Sequence, residues 1–333
     1  MSLRSRARSE LGGSAHRKAS QPARTVLGPS SSCRSGVKGK KTADDVKRDF
    51  AGASVVFGDV SNADSLASAV RGKQFDVVVS CLASRTGGKK DSWLIDYQAT
   101  RNSLDVGRAN GAKHFVLLSA ICVQKPELEF QRAKLKFEGE LQAAGDVTYS
   151  IVRPTAFMKS IAGQVDNVKK GVPYVMFGDG TLCACKPISE ADLASFMAEC
   201  ISDPAKSNQM LPIGGPGRAY TPLDQANVLF RVAGLPNSYI RVPIGIMDGA
   251  VALFDWLASK FPQLEDPAEF AKIGRYYAVE SMLVYDPVTK RYDADATPSY
   301  GKDTLESVFT KLVKEGTAGQ ELGDAAVFGV TRD

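Results

Sequence analysis

FDVVVSCLAS, residues 75–84, is a near-continuous apolar run that closes on small and polar side chains. A half-exposed strand would alternate apolar with polar, and an amphipathic helix would place polar residues every third or fourth position. A short unbroken run is expected of a strand covered on both faces, as in a parallel sheet. KHFVLLSA (113–120) repeats the pattern, and TYSIVRPTAF (148–157) gives a further strand stopped by Pro154. Upstream, ASVVFGDV (53–60) is a β-branched run ended by Asp59. Helical patterns lie between them: DSLASAVRG (64–72), a stretch over 91–110, and residues 127–144 with Phe130, Ala133, Phe137, Leu141 and Ala144 at three–four spacing. Strand and helix in alternation predict an α/β fold built on a doubly wound parallel sheet.

The second half is less regular. KPISEADLASFMAECI (186–201) reads as a helix with Ser189 as N-cap, and further helices are expected at 245–260 and 302–315. In VPIGIMDGAVALFDWLASKF (242–261) Asp248 and Asp255 stand seven apart on one helical face, which makes an amphipathic helix and not a membrane span.

Charge separates the N-terminus from the rest. Residues 1–41 hold ten Lys and Arg against the single acid Glu10, and nine serines. With a net charge of +5 for the chain, residues 42–333 sum to −4, so the body is no nucleic-acid binder. An Arg- and Ser-rich, acid-poor N-terminus is the composition of an organellar transit peptide. The six cysteines form no CxxC pair and there are two histidines, so neither a metal site nor a disulfide framework is expected.

Ligands of open α/β sheets bind beyond the carboxyl ends of the strands. The candidates there are Asp59 and Val60, then Cys81, Leu82, Ala83 and Ser84, then Ser119, and finally Arg153, Pro154 and Thr155. Helix 127–144 adds Lys134, on one face with Phe130 and Glu138. A strand-end serine followed by such a lysine resembles the Ser…Tyr-x-x-x-Lys arrangement of short-chain dehydrogenases, although FQRAK puts Phe130 where their tyrosine stands. A lysine paired with Glu138 on the helix surface is the plainer reading of the same spacing.

The longer strings SAICVQKPELEFQRAKLKFEGEL (119–141), YSIVRPTAFMKSIAGQVDNVKKGVPYVMFGDGTLCACKPISEADLA (149–194) and FPQLEDPAEFAKIGRYYA (261–278) carry a more specific likeness. They resemble the NADPH-dependent divinyl chlorophyllide 8-vinyl reductases of plants and algae, atypical short-chain dehydrogenases of the NmrA-like kind. The resemblance spans about residues 34–328. It implies a Rossmann-like domain, NADPH as cofactor, a chloroplast location and an oxidoreductase that turns the 8-vinyl group of a divinyl chlorophyllide or protochlorophyllide into ethyl. It also implies a tetrapyrrole as partner and peripheral association with plastid membranes, without nucleic acid and without a protein-bound metal. Lys134 and Ser119 would serve the nicotinamide end. Phe157, Tyr174 and Phe177 would offer apolar surface to the macrocycle, with Lys159 and Lys186 for its propionate.

Members of that family open with a strand, a glycine-rich turn and a helix ahead of a segment like RSGVKGKK (34–41). VLG (26–28) followed by PSSS has one glycine, two other apolar residues and a proline where amide donors are needed, so no strand is expected before Arg34. The expectation is a Rossmann-like domain lacking its first βαβ unit, through an incomplete gene model or through divergence. The loss of a central strand would leave open sheet edges. Arg34 and Lys38 would then be left to meet the 2′-phosphate of NADPH. The domain reading is 1–33 as a basic leader, 34–212 as the nucleotide-binding unit and 213–333 as the substrate region. The alternatives are a non-catalytic NADP(H)-sensing protein and an inactive truncated form.

Overall fold

The computed structural model describes residues 2–5, 23–29 and 43–316. Among them the strands are β1 (Ser2–Ser5), β2 (Ala23–Pro29), β3 (Ser54–Gly58), β4 (Val77–Ser80), β5 (His114–Leu118), β6 (Thr148–Pro154), β7 (Tyr174–Phe177), β8 (Gln209–Ile213) and β9 (Tyr239–Val242), followed by the hairpin of β10 (Val284–Asp286) and β11 (Arg291–Asp293). Seven of these form one sheet in the order β3-β2-β1-β4-β5-β6-β8. Its pairings are parallel except those of β1, which runs antiparallel to both β2 and β4.

The continuous apolar runs behave as expected of doubly covered strands. Val77 and Val79 point to one face and Val78 to the other, and all are buried. Helices α1 (Ala43–Asp49), α2 (Ala63–Ala69), α3 (Lys89–Asp91), α4 (Thr100–Ala109) and α5 (Glu129–Ala143) follow the first strands. On one face Leu66 of α2, Leu104 of α4 and Phe137 and Leu141 of α5 pack on Val78, Phe115 and Ile151. Gly107 permits α4 to lie this close, since a Cβ there would meet Val78 Cγ2 at 2.4 Å. Beyond the short α6 (Met158–Ile161) and α7 (Val165–Lys169), α8 (Glu190–Glu199) covers the other face with Leu193, Phe196 and Met197. Ser189 caps α8 as expected, its hydroxyl accepting from Asp192 N at 3.1 Å.

The remaining elements are α9 (Pro222–Ala233), α10 (Ile244–Lys260), α11 (Glu265–Val279) and α12 (Leu305–Glu315). A separate core joins α7, β7, α9 and α12 around Met176, Leu229, Phe230 and Phe309. β7 and β9 pair in parallel beside it. α10 and α11 form a helical hairpin whose flank is bridged by the half-exposed Asp248 and Asp255. They meet Arg275 Nε and Lys272 Nζ of α11, each at 2.8 Å.

Two expectations about the N-terminal region are corrected. Ala23–Pro29 is a seven-residue strand in register with β3, Val26 opposite Val55 and Leu27 opposite Val56. Pairing with β1 and β3 decides this, extending a short Thr-Val-Leu run through Gly28 and Pro29. Nor does the centre of the sheet stand open: β1 fills the position between β2 and β4 in reverse sense. Both corrections lie inside the expected basic leader 1–33. Arg34 and Lys38 lie outside the described residues.

Candidate functional site

The expected strand-end residues come together along one edge. Asp59 is turned into its own loop, its Oδ1 accepting from Ser61 N and Oγ at 2.9 and 2.6 Å. Asn102 of α4 donates to Val60 O at 2.9 Å and ties the ends of β3 and α4 together. At the end of β4, Ser80 is buried with its Oγ unpartnered, and Cys81, Leu82, Ala83 and Ser84 follow in an open turn. Ser84 N donates to Asp96 Oδ2 at 3.3 Å.

Asp96 belongs to a π-helical stretch, Ser92–Ala99, packed along α5. Single π turns recur at functional sites because they re-aim a side chain without breaking the helix. Here Asp96 Oδ1 sits 2.8 Å from Lys134 Nζ, and the two side chains are 0% and 9% exposed. The surface pairing of Lys134 with Glu138 is therefore not made. Glu138, itself 2% exposed, instead accepts from Ser119 Oγ at 2.5 Å and from the Arg153 guanidinium. Sequence reading missed Asp96; its one signal was a lone acid amid the apolar WLIDY (93–97).

The Lys134 charge also acts on the buried thiol of Cys122. Burial pushes the Cys122 thiol above its ordinary value, and the lysine charge is among the effects that oppose that rise. Through Asp96, Lys134 stands beside the turn that follows β4. At the end of β6, Thr155 is buried with its hydroxyl donating to Lys186 O, and Thr155 N donates to Ile213 O at 2.9 Å. Pro154 is buried beside it.

The expected substrate residues are dispersed. Phe157 is half-buried where β6 leads into α6. Lys159 pairs with Glu190 at 2.5 Å beside a cavity of about 390 Å3 that Met158, Ser189 and Lys311 also line. Tyr174 is 4% exposed inside the core of α7, α9 and α12 and presents no surface to a ligand. Phe177, half-buried, stands at the end of β7. Lys186 Nζ is taken by Thr297 O and Ser299 Oγ at 2.9 and 3.2 Å.

The nicotinamide half of NADPH fits this edge. Ser119 and Arg153 meet on Glu138 of α5, Lys134 of the same helix meets Asp96, and the Ser80 hydroxyl at the end of β4 is unpartnered. Ser5 pairs with Ala23, at the amino end of β2, so the chain leaves β1 on the side away from the strand ends. The strand at the centre of the sheet, β1, runs antiparallel to β2 and β4 and so does not end at the ligand edge.

Residues 31–204 match a family model described as NAD(P)H-binding. The chain is 61% identical over 301 residues to the divinyl chlorophyllide a 8-vinyl-reductase, chloroplastic, of Cucumis sativus, covering 89% of this chain and 72% of that protein. The protein of the same description from Arabidopsis thaliana is 59% identical over 87% of this chain and 72% of its own length. Among solved structures, the leucoanthocyanidin reductase–NADPH complex from Vitis vinifera matches with a TM-score of 0.57 at 14% identity, covering 87% of this chain and 91% of that one. The last likeness bears out the Rossmann-like fold, whereas identity near 60% over most of both chains reaches further. The chain belongs to the family of the divinyl chlorophyllide a 8-vinyl-reductases.

Proposed function

We propose that this chain is an NADPH-dependent oxidoreductase of the chloroplast that reduces the 8-vinyl group of a divinyl chlorophyllide to ethyl. The observation that carries the reading is identity of 58–61% to four proteins described by that activity. NADPH, when bound, supplies a hydride, and the vinyl group is conjugated with a macrocycle that can spread the resulting charge.

The chain's own residues position and polarise. The Ser119 proton is committed to Glu138, so Ser119 turns acceptor lone pairs outward while Lys134 offers ammonium hydrogens not used by Asp96. A ribose hydroxyl is matched by that pair. Asp59, Val60, Cys81, Leu82, Ala83 and Ser84 are proposed to line the adenosine side, and Arg153, Pro154 and Thr155 the nicotinamide side. Phe157, Phe177 and Lys159 remain proposed contacts for the pigment; Tyr174 and Lys186 do not, given their internal partners. The proposed division is a nucleotide-binding unit over 34–212 and a substrate region over 213–333. The test is direct: purified chain, NADPH and divinyl chlorophyllide should give the absorption shift of vinyl reduction. Unchanged pigment with tight NADPH binding would favour a sensing role.

Peripheral docking on plastid membranes is proposed on the outward face of α10. Because Asp248 and Asp255 turn toward α11, Ile246, Leu253 and Trp256 form an exposed stripe, Trp256 being 60% exposed. Such a face suits the boundary between headgroups and acyl chains. No helix of the described residues is long and apolar enough to cross a membrane. In co-sedimentation with phosphatidylcholine vesicles, Leu253→Glu with Trp256→Glu should lower the bound fraction by about fivefold or more. Equal sedimentation of variant and wild type would remove the proposal.

A further inference from the structure

Phe130 occupies the position from which a phenol would be expected on α5, and its ring packs into a cluster with Ile121, Cys122, Ile273 and Tyr276. A hydroxyl nevertheless arrives at this place from another element. α11 is pinned over the edge at two points: Lys89 N donates to Asp266 Oδ1 at 3.1 Å, and Glu129 N to Glu269 Oε1 at 2.6 Å. These contacts fix α11 over the turn after β4 and over the start of α5. Its next turns carry two consecutive tyrosines onto Cys122, three residues beyond Ser119. Tyr276 Oη donates to Cys122 O at 3.1 Å and Lys125 O at 3.2 Å. Tyr277 Oη lies 3.9 Å from Cys122 Sγ, the rings of the two tyrosines meeting edge to face at 5.8 Å.

The two phenols are not equivalent. Tyr276 is 2% exposed and its proton is spoken for by two carbonyls, so it holds structure. Tyr277 is 46% exposed as a residue, while its hydroxyl is turned inward, where its hydrogen-bond partner among the described residues is a thiol, a weak one. Its backbone is held in place, the carbonyl accepting from Cys183 Sγ at 3.7 Å. A half-exposed residue with a weakly engaged hydroxyl beside the end of β5 is the arrangement of a group meant for a visitor.

We infer that Tyr277 is the proton donor of the vinyl reduction, supplied by α11 in place of the tyrosine that α5 lacks. This rests on the reading of the chain as a vinyl reductase. In the balanced step, a hydride from NADPH forms the new C–H bond at the outer vinyl carbon and the vinyl π pair moves onto the inner carbon and macrocycle. The Tyr277 O–H bond breaks, its proton forms the C–H bond at the inner carbon, and water restores the phenol, leaving NADP+ and the ethyl product. Burial first, then Cys122 and the charge of Asp96, hold the phenol well above its ordinary value, so it is protonated at working pH. The charge spread over the reduced macrocycle is the base it meets.

Tyr277→Phe removes the hydroxyl and keeps the ring. Expected are a fall in kcat of about 10² to 10⁴-fold, with KM for pigment, quenching of pigment fluorescence on binding and the thermal midpoint of the free chain all near wild type. The solvent deuterium effect on kcat in the wild type should also change in the variant. A Tyr277→Phe enzyme with kcat within threefold of an active wild type would overturn the inference and leave the vinyl-reductase reading intact. Loss of pigment binding would overturn it too, by showing a binding role. If the phenylalanine variant does not fold, Tyr277→His decides: a donor at that place that restores kcat to within about tenfold supports the inference, and an inactive folded histidine variant overturns it. A wild-type chain that leaves the vinyl group unreduced overturns the reading of function itself.

Discussion

Lys134→Met is expected to cost the chain about 3–5 kcal/mol of stability and at least about 10²-fold in kcat/KM. Both effects come from one contact. Lys134 Nζ is 2.8 Å from Asp96 Oδ1, and the Asp96 side chain is fully enclosed. Removing the ammonium leaves a buried carboxylate whose other hydrogen bond among the described residues is from Ser84 N at 3.3 Å. Breaking one partner of a buried pair is far more costly than replacing both with apolar groups. The double variant Lys134→Met with Asp96→Leu should therefore regain most of the stability and none of the activity. Denaturant midpoints measure the first quantity and pigment turnover the second. A single variant as stable as wild type would show that the pair contributes nothing to the fold. A double variant that recovers turnover would show that Lys134 serves packing alone.

Exchanging residues 1–22 for a strand parallel to β2 and β4, a glycine-rich turn and a helix should tighten NADPH binding by about 30-fold or more, the equivalent of two helix-terminus contacts of about 1 kcal/mol each. The ground is the direction of β1. It satisfies the ladder between β2 and β4, with Leu3 opposite Thr25 and Val78, yet it carries the chain away from the ligand edge. A parallel strand would deliver the following turn to that edge, where backbone amides and the positive end of a helix meet phosphates. Titration of NADPH against the two chains by quenching of protein fluorescence measures the ratio. A change under threefold would mean that the phosphates are held by other parts of the chain.

The central sheet was legible because β4, β5 and β6 are buried on both faces, and such strands announce themselves as unbroken apolar runs. β2 was not legible, since in ARTVLGP the Thr-Val-Leu run is too short before Gly28 and Pro29 to signal a strand without its partners β1 and β3. β1, with Leu3 as its one apolar residue, offers still less. At the site, helical spacing correctly placed Lys134 and Glu138 on one face. Their partners are tertiary, however. Asp96 arrives from 38 positions upstream of Lys134, and Ser119 and Arg153 come from two strand ends. Tyr174 shows the converse error. An aromatic in a turn-bounded segment suggests ligand surface, but alternation along β7 sends Tyr174 and Met176 into the core.

α11 has a consequence for the order in which the molecule is made. The contacts between its tyrosines and Cys122 close loops of 154 and 155 residues. Contacts of such separation form after local ones, because the entropy of closing the intervening chain must first be overcome. The sheet edge with Ser119, Lys134 and Asp96 is complete within residues 77–154 and needs no part of α11. A nascent chain can thus assemble the place for its reductant well before α11 docks. The edge matures in two stages, and only the later one brings Tyr277 to it.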